Sequence, residues 1–343
     1  CLATRESLGI LDASTLGKIE IRGTDAAEFL NRIYTNSWLK LEIGRCRYGL
    51  MLGEDGMVMD DGVTSRIGED HYLMTTTTGG AAHVLAWMER WLQTEWPHLK
   101  VYLTSVTDHW SVTSVAGPNS REVISRLCND IDFSPDAFPF MSFHEGTVAG
   151  IPARVYRISF SGELAYEINV SANVGQSLWE SVMTAGQSFN ITPYGTEAMH
   201  VLRAEKGYII VGQDTDGSVT PSDLGMDWIV SDTKDCIGKR SLSRQDTRRE
   251  NRKQLVGLTT TNPALVLPEG AQLLNEPATE FPAPMVGHVT SSYFSPSLQR
   301  SIALALVKGG RSREGSVVYA QLMDGRIIPA RIGQPKFYDL ENQ

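Results

Sequence analysis

The chain has 343 residues, enough for two or three domains with a sizeable core. Its 41% hydrophobic, 8% aromatic and 21% charged residues exclude disordered, collagenous and disulfide-scaffold classes. A net charge of −9 without a long basic run, and apolar stretches such as Ile302 to Val307 that fall far short of the roughly 20 residues needed to span a bilayer, set aside nucleic acid and membrane as partners.

The four cysteines, Cys1, Cys46, Cys128 and Cys236, are far apart and form no C-x-x-C pair. They read as ordinary thiols in a reducing, cytoplasmic setting, not as a zinc knuckle. The chain opens on Cys1 with no basic-then-apolar leader, so a preceding part of a longer polypeptide is expected. The histidines, among them His71, His109, His200 and His288, show no ligand spacing, and no metal site is expected.

Along the chain, Ile21 to Ile33 parallels Val115 to Leu127 at an offset of 94 residues, with Gly, Glu and Arg coinciding. In both copies an alternating strand ends at Gly, a turn residue follows, and apolar residues recur at helical spacing. The same offset lays Tyr72 on Tyr166 and a helix bearing Val84, Trp87 and Met88 over one bearing Val174, Leu178 and Val182. An α+β body of two pseudo-twofold β-α-β-β-β-α halves, about 17–105 and 110–205 within residues 1–248, is therefore expected. The charged stretch Ser243 to Lys253 marks a boundary. Beyond it, residues 249–343 alternate in short apolar runs, the pattern of a small antiparallel β-barrel or sandwich.

Three segments are candidates for chemistry. In Asp55 to Gly62, alternation sends the adjacent carboxylates Asp60 and Asp61 to opposite faces, so that one faces a pocket and the other solvent. In Ser161 to Ile168, Glu167 and Tyr166 also face opposite sides; a strand Glu needs a partner, and either a ligand offering N–H donors or an internal Arg would serve. In Leu202 to Tyr208 a helix ends with Gly207 as its C-cap, and Arg203 could pair with Glu205 or a neighbour on the helix surface. No G-x-G-x-x-G, Walker A, H-E-x-x-H or G-x-S-x-G occurs, so any nucleotide cofactor of a redox reaction belongs to another segment or subunit.

These motifs, in this order and together with Gly9 to Ser14, resemble the folate-dependent aminomethyltransferase family, the T-protein of the glycine cleavage system. Asp12 to Lys18 and the threonine run Thr75 to Thr78 before Gly79-Gly80 are most similar to the branch formed by the C-terminal part of the α subunit of heterotetrameric sarcosine oxidase. The resemblance implies a cloverleaf in which the duplicated body and the β domain surround a central channel for tetrahydrofolate. It implies Asp61 as the catalytic carboxylate, with Glu167 on the pterin edge and Arg203, Tyr48, Leu16, Thr77, Tyr166 and Tyr338 as further folate contacts. Flavin and NAD are expected elsewhere in such a complex, and the partners implied are the other oxidase subunits, the preceding part of the α chain, a small imine and folate.

Three departures from the family stand out: little chain precedes Gly9, Thr77 replaces a common Asn, and Lys206 to Asp214 lacks the Cys of the K-G-C-Y-x-G-Q-E branch. The activity implied is conversion of the imine from sarcosine, or of formaldehyde, to 5,10-methylenetetrahydrofolate plus glycine. Alternatives are a free-standing aminomethyltransferase and a catalytically silent folate-binding or assembly domain.

Overall fold

The computed structural model describes residues 1–280 and 282–340. The chain divides into two compact units: one of residues 1–51, 60–196 and 231–237, the other of residues 52–59, 197–230 and 238 onward.

The first unit opens with a short helix α1 (Leu2–Glu6) and strand β1 (Gly9–Asp12). A first half follows as β2 (Gly17–Arg22), α2 (Ala26–Ile33), β3 (Cys46–Leu52), β4 (Val58–Gly68), β5 (His71–Thr76), α3 (Ala81–Thr94) and β6 (Tyr102–Ser105). The second half repeats this order as β7 (Trp110–Ala116), α4 (Ser120–Leu127), β8 (Ser142–Val148), β9 (Ile151–Arg157), β10 (Ala165–Ser171), α5 (Gly175–Ala185) and β11 (Thr192–Pro193).

The sheets confirm the duplication. Their orders are β3-β4-β5-β2-β6 and β8-β9-β10-β7-β1-β11, so the second, third, fourth and first strands of each half are neighbours in the same way. Ile21 pairs with Tyr72 in one sheet, and Val115 with Tyr166, the same positions 94 residues on, in the other. Gly23 and Gly117 both take positive φ, 131° and 129°, where the chain leaves its strand for the helix. Asp25 and Asn119 stand at the two helix N-caps, and each helix carries one (i,i+4) pair, Glu28 with Arg32 and Glu122 with Arg126, both at 2.8 Å.

Alternation then divides each strand's residues between two faces. The outer face of the second sheet sends Val115, Val155, Tyr166 and Ile168 into a core completed by Val123 and Ile124 of α4 and Leu178 and Val182 of α5. The inner faces supply another apolar cluster that includes Cys46, Val63, Leu73, Phe143 and Tyr156, contributed by both sheets. The result is helices outside, two sheets inside, and an inter-sheet layer that is only partly apolar.

In the second unit, helix α6 (Thr196–Glu205) ends in a tight turn in which the Tyr208 N–H bonds the Arg203 carbonyl at 3.0 Å. Gly207 takes φ 72° there, as its predicted C-cap role requires. The strands β12 (Lys253–Thr260), β13 (Gln272–Leu274), β14 (Met285–Ser295), β15 (Arg300–Lys308), β16 (Val317–Gln321) and β17 (Ile327–Gly333) form a closed antiparallel barrel in the order β12-β15-β14-β13-β16-β17. Closure leaves no free edge, which decides between barrel and sandwich. Among the described residues no helix is long and apolar enough to cross a membrane.

The duplicated glycines give a stability test. A Cβ on Gly23 would lie 2.0 Å from the Lys100 carbonyl oxygen, whereas one on Gly79 meets nothing within 4 Å. Gly23→Ala should therefore lower the unfolding free energy by about 2 kcal/mol or more, and Gly79→Ala by under about 1 kcal/mol, in denaturant titrations.

Candidate functional site

Strand register brings the candidate residues of the first unit to the layer between its sheets. On the first sheet Ser65 pairs with Leu73 and Lys18 with Thr75, so Asp61, Val63, Ser65, Leu73, Thr75 and Lys18 share one face. On the second, Glu167 lies opposite Tyr156 on one side and Ser114 on the other. The two faces meet where the Ser65 and Tyr156 hydroxyls hydrogen-bond at 3.3 Å, amid the inter-sheet apolar cluster.

Asp61 has Tyr48 as its side-chain partner, whose hydroxyl donates to Oδ2 at 2.6 Å. Burial, with Asp60 close by, drives the Asp61 carboxyl up to about 7 despite that hydrogen bond. Burial and the nearby Asp61 carboxylate in turn push the Tyr48 phenol well above its usual value, so it remains a donor. The pair joins a near-neutral acid to a fixed proton donor.

Asp60 corrects the expectation that one of the two carboxylates faces solvent, because it is 1% exposed. Its Oδ1 accepts from the backbone N–H of Asp61 at 2.8 Å and of Thr77 at 3.3 Å, and its Oδ2 from the Thr77 hydroxyl at 3.2 Å. Thr77 Oγ1 also accepts the Gly80 N–H at 3.1 Å, at the start of α3. Thr77, expected on the pterin, is thus committed to holding Asp60, and Asp60 fixes the backbone that presents Asp61.

Glu167 accepts no side-chain hydrogen bond among the described residues. The internal Arg that could have explained it is absent: Arg154, on the neighbouring strand β9, is held by Glu145 at 2.6 Å. Burial carries the Glu167 carboxyl up to about 7, opposed only by the charge of Lys18. Lys18 is 1% exposed and donates to the Ser14 and Leu16 carbonyls, each at 2.9 Å. Tyr194, just after β11, also feels the Glu167 charge, and burial raises its phenol. Lys18 and Tyr194 escaped the sequence reading. The strand alternation that places Lys18 on the inner face was its available signal; nothing local marks Tyr194.

The other expected contacts fall differently. Tyr166 is a core residue, fully buried beside Phe133 and Phe138, with its hydroxyl accepting from Arg121 at 3.2 Å. Leu16 is half-buried, and its carbonyl anchors Lys18. In the second unit, Arg203 is fully buried instead of forming a helix-surface pair with Glu205. It is ion-paired with Asp214 and donates to the Tyr208 carbonyl at 3.0 Å and to Ser291 at 2.6 Å. Asp214 in turn accepts from Thr290 at 2.6 Å, from Ser291 at 2.7 Å and from the Ile210 N–H at 2.9 Å. Glu205 accepts from Ser295 at 2.6 Å, and its carbonyl receives the Tyr338 N–H at 2.8 Å. Two open clefts of the second unit, of about 310 and 510 Å³, include none of Asp61, Tyr48, Glu167 or Arg203 in their linings.

This duplicated body followed by a barrel is a known pairing. The GCVT N-terminal domain matches residues 1–234, and the glycine cleavage T-protein C-terminal barrel domain matches residues 253–339. The chain belongs to the glycine cleavage T-protein family, a family of folate-dependent one-carbon transfer. It is 58% identical, over 99% of its length, to the sarcosine oxidase subunit alpha of Corynebacterium sp. (strain P-1), and 43% identical to that of Rhizobium meliloti (strain 1021). It spans only 36% and 35% of those two proteins. An aminomethyltransferase of Thermotoga neapolitana is 30% identical over 98% of this chain and 88% of its own length. The solved glycine cleavage system aminomethyltransferase T from Bartonella henselae shares the fold with a TM-score of 0.85 at 23% identity, covering 98% of this chain and 88% of that one.

Two predictions follow from the buried charge. Asp61 and Glu167 titrate near 7 in the folded state against ordinary values of 3.8 and 4.5, so between about pH 4 and 7 the folded chain holds protons that the unfolded chain has released. Their contribution therefore lowers stability as pH rises through that window. Asp61→Asn and Glu167→Gln should each raise the melting temperature of the ligand-free protein at pH 8, with the gain vanishing toward pH 4. Arg203→Met, which leaves Asp214 buried without its cation, should instead cost roughly 3–5 kcal/mol of stability. Denaturant unfolding measures it, and a variant as stable as the wild type would return Arg203 to a ligand-contact role.

Proposed function

We propose that this chain binds tetrahydrofolate and transfers to it the methylene unit of an imine produced from sarcosine elsewhere in a larger oxidase, releasing glycine. The observation that supports this most is the pairing, in one inter-sheet layer, of two carboxylates that no arginine neutralises. Glu167 fits the pterin edge, because an acceptor without a protein partner suits a ring system that offers amino and ring N–H donors. Likeness to the sarcosine oxidase alpha subunits favours the imine donor. Coverage of 88% of the Thermotoga neapolitana aminomethyltransferase keeps one alternative open, a lipoyl-bound aminomethyl donor at the same site.

Tetrahydrofolate supplies the nucleophilic nitrogen, and positive charge develops around the carbon being transferred. Asp61 places a carboxylate where that charge can be stabilised and where Oδ1 or Oδ2 can take up the proton released. Tyr48 holds Oδ2 by its hydroxyl and so sets the orientation of the carboxylate. An acid poised at about 7 is matched to accepting and returning a proton near neutrality. Asp60, through the Asp61 and Thr77 backbone, keeps that carboxylate in place.

Asp61→Asn should preserve folate binding and lower kcat for 5,10-methylenetetrahydrofolate formation in the assembled oxidase by about 100-fold or more. In the wild type kcat should rise through pH 7 as Asp61 ionises, and in the variant that rise should disappear. Equal rates for the two proteins, or a loss confined to KM, would remove Asp61 from catalysis. Supplying a lipoyl-bound aminomethyl donor to the isolated chain decides between the two donors.

A further inference from the structure

We propose that Lys18 is the positioning residue for the folate-binding carboxylate: fixed on the inner face of the first half-sheet, its ammonium supplies the counter-charge that keeps Glu167, on the facing half-sheet, ready to accept hydrogen bonds from the ligand. The inference rests on the folate reading above and deepens it.

The geometry begins with the loop between β1 and β2. It is fastened to β7, next to the strand that carries Glu167, by Ala13 N–H to the Val112 carbonyl and Val112 N–H to Ser14 Oγ, both at 2.9 Å. Lys18 closes the loop from below, with two of its three N–H donors on the Ser14 and Leu16 carbonyls. The ammonium is thereby held by two carbonyls on the inner face, and Lys18 forms no contact ion pair with Glu167. A direct pair would occupy the carboxylate oxygens; a cation held back leaves them open for a ligand while still lowering the cost of their charge.

The groups facing the two residues are few. Lys18 is faced by Glu167 of β10, Asp12 of β1 and Asp108 just before β7, and burial draws its pKa below the ordinary lysine value. Glu167 is faced by Lys18, by Cys46 of β3 and by Tyr194; burial pushes both the Cys46 thiol and the Tyr194 phenol up, so neither carries charge near neutrality. Lys18 is therefore the cation that acts on Glu167. Symmetry points the same way: the position equivalent to Lys18 in the second half is Val112, and that equivalent to Glu167 in the first half is Leu73, so each charge replaces an apolar residue.

The test is calorimetric titration of the full chain with 5-formyltetrahydrofolate between pH 6 and 9. Wild-type affinity should fall as pH drops below about 7, where Glu167 takes up a proton. In Lys18→Met that inflection should move up by at least about one pH unit, weakening binding about fivefold at pH 7 and approaching tenfold at pH 6, with affinity restored by pH 9. Lys18→Arg, which keeps the charge, should retain the wild-type profile. Lys18→Gln carries the same expectation as Lys18→Met should the latter fail to fold. A loss of equal size at every pH, or an unchanged inflection in a variant that still binds, assigns Lys18 a packing role only and overturns the proposal. Absence of binding by the wild type overturns the folate reading instead. Ligand-free thermal unfolding gives an independent readout: the stabilisation brought by Glu167→Gln at pH 8 should be larger in the Lys18→Met background, and equal stabilisation in both backgrounds also rejects the counter-charge role.

Discussion

Taking a carboxylate out of water is costly unless hydrogen bonds or a cation compensate it, and the two units meet that constraint in opposite ways. In the second unit Asp214 is compensated from within: Arg203, Thr290, Ser291 and the Ile210 N–H close around it, and both charged side chains are fully buried. Both Asp214 oxygens are thereby occupied at the end of α6, with no acceptor left for a ligand, while Arg203 Nε stays buried without a hydrogen-bond partner. In the first unit Asp60 is likewise satisfied, although by backbone and hydroxyl donors and not by a cation. Asp61 and Glu167 are left under-compensated, one with a single tyrosine, the other with a lysine at a distance. Two buried carboxylates in one layer, both with raised pKa and few partners, are what make that layer the candidate site.

The duplication explains how such a layer could be built without disturbing the scaffold. Positions that carry the architecture repeat: the left-handed glycines, the cap residues, the ion pair on each first helix and the buried tyrosines. Positions that face the other sheet do not. By strand register Ser65 corresponds to Tyr156, and these two residues hydrogen-bond across the layer. Four residues before each stand Asp61 and Pro152, so the catalytic candidate has no counterpart. Outer faces, which must match helices, preserved the pattern; inner faces, which meet each other across the layer, diverged.

That division also governs what the sequence discloses. Gly23 and Gly117, or Glu28 and Glu122, are visible because backbone conformation and helix spacing impose a residue type at a fixed local position. The resemblance carried Asp61 and Glu167, and strand alternation placed Glu167 opposite Tyr166 correctly. It could not reveal that Tyr166 belongs to the core and that Glu167 is the residue facing the other sheet, since alternation assigns residues to faces without saying what covers each face. The burial of Asp60 was hidden for a related reason. Its distant donors, the Thr77 backbone N–H and hydroxyl, are brought to it by the β4–β5 pairing. Arg203 is the extreme case, because its partners Asp214 and Ser291 lie 11 and 88 residues away and no local rule links them.

Lys18 shows how local and non-local demands combine in one residue. Its strand position is an ordinary alternation site, filled by a valine in the second half, and a lysine there would be costly in isolation. Two carbonyls of the preceding loop make it tolerable, and in doing so they tie the shape of that loop to the charge. Glu167 is similarly costly alone. Lys18 lowers the cost of its charge across the inter-sheet layer, so Glu167 is not explained by its own half, whereas Lys18 keeps the loop carbonyls, Asp12 and Asp108 besides Glu167. The two halves of the body are therefore coupled at this point by electrostatics as well as by packing, and the coupling runs through the position where a ligand with N–H donors would sit.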